Sequence, residues 1–198
     1  MKQRTLVIIF LILIVNMNAQ ENKKQDTLPF YEVLEYTNEY TAGSVAARMV
    51  DALGFRYRWA TEDLKEEDLN FKPSENGRST IETIDHILGL SRVILNATLK
   101  TKSDFTKVQP ILSYNEKRKE TLENLQKASE ILRTATDLES FKIQFVFTKG
   151  ASEYPFWNII NGPISDAIWH AGQIASFRRS SGNPINPKVQ FLQGTIKE

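Results

Sequence analysis

Two capping boxes, each a serine followed three residues later by a glutamate, most strongly constrain what this chain can fold into. They are Ser79-Thr-Ile-Glu82 and Ser113-Tyr-Asn-Glu116. In this motif the serine hydroxyl accepts a hydrogen bond from the backbone of the glutamate, and the glutamate side chain reaches back to the serine N–H. Apolar residues follow both boxes at helical spacing. The pattern therefore predicts one helix over 80–100 and a second that ends near 135.

Two more segments have helical character. Apolar residues recur at helical spacing over 38–63, and Pro73 and Gly77 mark residues 66–77 as a connection. The last helix is expected to start or kink at Pro163, to run to about 179, and to end before Gly182, a residue suited to a helix C-cap. Residues 141–147 alternate and are rich in β-branched and aromatic side chains, which is typical of a short strand.

Four helices of this length predict an all-α fold, a four-helix bundle, with a short β segment near 141–147. The chain has 198 residues, of which 41% are apolar, enough for one domain with a real core plus appendages. Its net charge of +1 comes from lysines and arginines spread along the chain, which argues against nucleic-acid binding. The absence of cysteine excludes disulfides, thiolate metal sites and a cysteine nucleophile.

The first residues have the layout of a secretory signal peptide. Lys2 and Arg4 precede an unbroken apolar run at 6–15, and a polar stretch then ends in Ala19. The run is about half of the ~20 residues needed to span a bilayer, so we expect cleavage after Ala19 and no stable membrane anchor afterwards. An uncleaved anchor is the alternative. The expected location is the periplasm or the exterior.

These observations predict four regions of the chain. They are a signal peptide at 1–19, a flexible lead-in at 20–37, the helical bundle at 38–182 and a C-terminal tail at 183–198.

A row of polar residues follows one face of the last helix. Asp166, His170 and Gln173 recur at spacings of four and three, and Phe177 continues the row. A carboxylate and an imidazole on adjacent turns suit a divalent transition metal. A third ligand must come from another helix, and His86 is the only other histidine in the chain. Gln173, one turn on, is placed to orient a ligand or a metal-bound water.

The same residues have explanations without a metal. A His–Asp pair four residues apart is a common surface interaction on helices, worth a few tenths of a kcal/mol. An aspartate close to a helix N-terminus is favoured in any case, and His86 could be a hydrogen-bonded histidine at the edge of the core.

Two passages resemble the DinB-like proteins of the DinB/YfiT superfamily, which are metal-binding four-helix bundles. In residues 64–88 an acidic segment, a proline and the capping Ser79 lead to His86, which matches a ligand histidine of the family. The passage Asp166-Ala-Ile-Trp-His-Ala-Gly-Gln173 is similar to the family's H-x-x-x-H-x-G-Q. His170 matches its second histidine, whereas Asp166 replaces the first. The resemblance covers residues 40–182.

The resemblance implies a site with two histidines and one aspartate, His86, Asp166 and His170, and a metal such as zinc, nickel, manganese or iron. It implies either a metal-dependent hydrolase or a thiol-type transferase acting on a small molecule, and export favours the hydrolase. Trp169, next to His170, is a candidate for the wall of a pocket. The alternatives are a non-catalytic bundle that binds a small ligand and a degenerate member without metal. A homodimer is also compatible with such bundles.

Overall fold

The computed structural model describes residues 28–33, 35 and 37–197, and about half of the chain is helical. The helices are α1 (Ala42–Ala60), α2 (Glu66–Asn70), α3 (Thr80–Thr98), α4 (Tyr114–Arg133), α5 (Phe156–Ile159) and α6 (Ser165–Ser180), with a π-helical turn (Ile160–Ile164) joining the last two. The strands are β1 (Ser103–Asp104), β2 (Ile143–Phe147), β3 (Gly150–Tyr154), β4 (Val189–Gln190) and β5 (Thr195–Ile196).

Four long helices form a closed ring of contacts. Helices α1 and α3 each pack against both α4 and α6. Each helix turns its apolar face inwards, and residues from all four are fully buried in one cluster, among them Leu53, Ile84, Ile94, Leu125 and Ile174. Burial of these faces, worth about 25 cal/mol for each Å² of apolar surface, is the main force that holds the helices together.

The two predicted capping boxes are confirmed. The backbone N–H of Ser79 donates to Oε2 of Glu82 over 2.7 Å, and the N–H of Ser113 donates to Oε2 of Glu116 over 2.7 Å. In each case the serine hydroxyl accepts in return from the glutamate backbone. Glu82, which lies one turn before His86, is therefore already engaged in capping the N-terminus of α3.

The first predicted helix is shorter than expected, and the connection after it contains a helix. Helix α1 begins after Thr41, whose hydroxyl accepts from the N–H of Ser44 over 3.1 Å, so residues 38–41 lie outside it. The prediction that 66–77 is only a connection is wrong for its first part, which forms α2. The buried side chain of Asp68 accepts from the N–H of Lys65 over 2.9 Å and so stabilises the start of this short helix.

The fold contains short strands as well as helices, so it is not all-α as predicted. The short β segment expected near 141–147 is confirmed as β2, which pairs antiparallel with β3 and parallel with β1. A second pair, β4 and β5, is antiparallel. Strands β1, β4 and β5 have two residues each, too few for an alternating pattern to show in the sequence.

The two ends of the described chain pack together. The backbone N–H of Val33 donates to the carbonyl of Gly194 over 2.8 Å, and Phe191 between β4 and β5 packs edge-on against Phe55 of α1. Part of the expected lead-in, residues 28–33, is thus docked onto the molecule, and the expected tail contains a small hairpin. The predicted signal peptide lies outside the described residues. None of the described helices combines the length and the apolar character needed to cross a membrane.

The C-terminus of α6 is tied to the C-terminus of α1 by a buried arginine. Gly182 has a φ of 92° and follows the helix end as predicted, and the N–H of Asn183 donates back to the carbonyl of Arg178 over 2.8 Å. The Arg178 side chain is 3% exposed and donates to the carbonyls of Trp59 and Ala60 over 2.9 and 3.2 Å. Arg178 thus satisfies backbone acceptors that the end of α1 leaves free.

Candidate metal centre

The last helical stretch begins before Pro163, so of the two predicted roles this proline does not start the helix. The stretch runs without a break from Phe156 through the π turn to Ser180, so Pro163 lies inside it. A proline has no N–H and its ring collides with the carbonyl four residues before it, and a π turn accommodates both effects. The hydroxyl of Ser165 donates to the carbonyl of Ile160 over 2.6 Å and satisfies an acceptor in the widened turn.

The π turn affects where the polar row points. The wider turn accommodates one extra residue. The side chains that follow it therefore point in different directions around the helix axis than they would in a regular α-helix. Asp166 is the second residue of α6 and therefore directly follows this change of direction. Since helical residues precede it from Phe156 onwards, Asp166 does not sit at a free helix N-terminus. The explanation that an acid is favoured there by the helix dipole does not apply to it.

The three predicted ligands come together in the structure. Nε2 of His86, on α3, lies 3.0 Å from Oδ2 of Asp166, and Nε2 of His170 lies 3.3 Å from Oδ1 of the same carboxylate. The two imidazole rings are 4.7 Å apart between centroids and nearly perpendicular. One donor atom from each residue lies within 4.8 Å of the other two, and the described part of the chain contains no other such group of three.

Gln173 holds the ring of His170 in a defined orientation. Its Oε1 lies 2.6 Å from Nδ1 of His170. An amide oxygen can only accept, so the proton is on Nδ1 and the ring donates to Gln173. The lone pair of the neutral ring is then on Nε2, the atom that faces Asp166 and His86. A ligand histidine whose other nitrogen donates to a neighbouring group is the usual arrangement in metal sites. Gln173 thus contacts His170, and its role in orienting a metal ligand stays a prediction.

The spacing of the donor atoms fits a divalent transition metal. Bonds of about 2.0–2.1 Å in tetrahedral geometry separate the ligand atoms by about 3.3 Å. The two histidine-to-carboxylate distances, 3.0 Å to Oδ2 and 3.3 Å to Oδ1 of Asp166, are close to this size, and one donor atom from each of the three residues lies within 4.8 Å of the other two. Two imidazoles and one carboxylate are also a donor set that such metals accept with positions left open. These three residues could therefore hold a metal ion.

The site is partly open to solvent. The side chains of His86 and Asp166 are 34% and 39% exposed, and that of His170 is 14% exposed. A small molecule could therefore approach the donor atoms from outside. Trp169, the residue before His170 in the chain, is 73% exposed, and its role as a pocket wall stays a prediction.

The other acids near His86 are already paired. Asp85 forms an ion pair of 2.7 Å with Lys117 of α4. Glu82 accepts from the backbone and the hydroxyl of Ser79, and these bonds hold the pKa of its carboxyl below the usual value. Further along the polar row, Phe177 packs against Phe71 with ring centroids 5.8 Å apart.

Without a metal, the same contacts would form a hydrogen-bonded network. A hydrogen bond from a histidine to the carboxylate uses an N–H on Nε2, whereas metal binding uses the lone pair of the same atom. Metal binding at such a site depends on pH and releases protons, which gives it a measurable signature.

Comparisons of the chain with protein-family models, with curated proteins and with solved structures found no match.

Proposed function

We propose that this chain is a DinB-like four-helix-bundle protein that binds one divalent transition metal through His86, Asp166 and His170. We further propose that it uses the metal for hydrolysis or group transfer on a small molecule. The observation that carries the proposal is the convergence of three donor atoms from two helices at ligand spacing. The ring of four helices and the two passages that resemble the family also support it.

The residues of the chain have separate tasks in this proposal. His86 and His170 supply neutral nitrogen donors, Asp166 supplies the anionic donor, and Gln173 keeps the proton of His170 on Nδ1. When bound, a divalent ion at this position supplies Lewis-acid activation of water or of a substrate oxygen. The partial exposure of the ligand side chains leaves one side for the substrate.

A non-catalytic role is the second candidate. Asp85 and Glu82, the acids next to His86 that could act as a general base, are both engaged in other contacts. A bundle that binds a small ligand through the metal needs no such base. Activity on ester, amide and thiol-conjugate substrates, measured with and without metal, separates the two candidates. Export through the N-terminal segment and a homodimer stay predictions.

Metal content is the decisive measurement. The chain from Gln20 onwards, made without a histidine tag, is incubated with zinc, nickel, manganese and iron, dialysed, and analysed by elemental mass spectrometry. We expect close to one metal per chain, and we expect it to be lost in His170→Ala and in His86→Ala. If the wild-type chain takes up no metal, the metal-free member of the family is the correct description.

A mutant that fails to fold would also lose metal, so stability is measured in parallel. A ligand that binds only the folded chain at 100 times its Kd raises the free energy of unfolding by about 2.7 kcal/mol. The wild-type chain should gain stability of this order from the metal it prefers. His170→Ala should keep its helical circular dichroism, and metal should not raise its free energy of unfolding.

A further inference from the structure

A cavity of about 710 Å³ lies between the first two turns of α1, the loop after α4 and the start of α5, and neither the resemblance nor the proposed function accounts for it. None of the three proposed metal ligands lines it. Pockets of about 300–1,000 Å³ are the usual size for small-molecule sites.

The interior of the cavity is apolar. Ala46 and Phe156 are buried at its walls, and Val45, Met49, Leu138 and Ile160 complete its apolar surface. A concave apolar surface of this size favours the hydrocarbon part of a ligand, because filling it removes that part from water.

The mouth of the cavity is acidic. Asp137, Glu139 and Lys142 line it, and all three are exposed to solvent. Lys142 is already paired, since its Nζ lies 2.9 Å from Oε1 of Glu153, and this contact holds the pKa of Lys142 above its usual value. The carboxylates of Asp137 and Glu139 therefore leave a net negative charge at the mouth.

Two aromatic side chains stand at the same mouth. Tyr40 is 88% exposed and Trp157 is 73% exposed, although both line the cavity. The faces of tyrosine and tryptophan rings attract organic cations, and this attraction adds to that of nearby carboxylates.

We propose that this cavity is a second binding site, and that it takes small organic cations with an apolar tail, such as alkylammonium compounds. The tail lies between α1 and α5, and the charged head stays at the mouth with Asp137, Glu139 and the rings of Tyr40 and Trp157. The proposal does not depend on the metal centre.

The test compares three probes that share a tail and differ in the head: octyltrimethylammonium, octanol and octanoate. Binding to the chain from Gln20 onwards is measured by isothermal titration calorimetry, below the micelle concentration of the two ionic probes and below the solubility limit of octanol. We expect the affinity for octyltrimethylammonium to be at least about fivefold higher than that for octanol. Octanoate should bind most weakly. Affinity should rise by about fourfold for each added methylene until the cavity is filled.

Matched variants locate the site. Val45→Trp fills the cavity from a half-exposed position and should abolish binding, whereas Val108→Trp, at a fully exposed position elsewhere, should not. Asp137→Asn with Glu139→Gln should remove the preference for the cation and leave the affinity for octanol unchanged. Glu67→Gln with Glu75→Gln removes the same charge away from the cavity and should change neither.

Three outcomes would overturn the proposal: no saturable binding of any probe, equal or weaker binding of the cation than of octanol, or binding that survives Val45→Trp. Metal content is measured on the same variants and should match the wild type throughout. A failure here therefore leaves the metal centre untouched, and a chain that binds no metal can still bind the cation.

Discussion

Nε2 of His86 lies 3.0 Å from Oδ2 of Asp166, although the two residues are 80 positions apart in the chain. The contact joins α3 to the first turn of α6, and the same carboxylate meets His170 through its other oxygen. Asp166 is thus the residue that unites the two histidines. In the proposed resemblance to the DinB-like proteins, it is also the residue that replaces the first histidine of the H-x-x-x-H-x-G-Q motif.

Replacing Asp166 by histidine should change which metal is preferred. Imidazole is a softer donor than carboxylate and carries no charge, so Asp166→His should favour zinc and nickel over manganese more strongly than the wild type does. The measurement is competition dialysis against equal concentrations of zinc and manganese, followed by elemental analysis. Asp166→Ala serves as the control that lacks a ligand and should bind both metals weakly. An unchanged ratio in Asp166→His would mean that Asp166 is not a ligand.

Loss of the Gln173 amide should weaken metal binding without removing a ligand. Gln173→Leu leaves Nδ1 of His170 without its acceptor, and loss of such contacts typically costs 10- to 100-fold in metal affinity. Gln173→Glu keeps an acceptor and should stay close to the wild type. Gln126→Leu, at an exposed position of α4, is the matched control. Affinity is measured by titration against a chromogenic chelator. Equal affinities in Gln173→Leu and Gln126→Leu would assign the 2.6 Å contact no role in the site.

Loss of the π turn before α6 should lower the metal affinity while the fold is retained. Pro163→Ala restores a backbone donor and removes the ring, so the turn can relax towards an α-helix and rotate Asp166 away from His86. We expect a loss of metal affinity on the order of tenfold, with helical circular dichroism retained. Pro155→Ala, at the residue before α5, is the control. Full metal affinity in Pro163→Ala would show that the packing of α6 alone orients Asp166.

Arg178 should contribute to the stability of the fold and not to ligand binding. Arg178→Met leaves the carbonyls of Trp59 and Ala60 buried without a donor, which should lower the free energy of unfolding by about 3 kcal/mol. Arg179→Met removes the same charge from an exposed neighbour and should change it by less than about 0.5 kcal/mol. Urea denaturation of both variants checks this. Similar small losses in the two would leave Arg178 free for another role.

The four long helices, and the starts of α3 and α4, could be predicted from the sequence because their causes are local. A serine and a glutamate three residues apart form a capping box wherever they occur at a helix start, and Gly182 ends α6 because it tolerates a positive φ. The alternation at 141–147 predicted β2 for the same reason. One error was also local: the helix Glu66–Asn70 is too short for a periodic pattern. Pro163 was expected to start or kink the last helix, and it lies inside the helix at the π turn and does not start it.

The candidate ligands could be predicted as residues, but their arrangement could not. The spacing of Asp166, His170 and Gln173 follows from the helical period, whereas the approach of His86 depends on how α3 packs against α6. The phase of Asp166 after the π turn, the two carbonyls that Arg178 satisfies and the 710 Å³ cavity are likewise consequences of packing. Hydrogen bonds within a helix join residues a few positions apart, so sequence alone reports them. Contacts between helices join residues that are distant in the chain, and only the tertiary structure decides them.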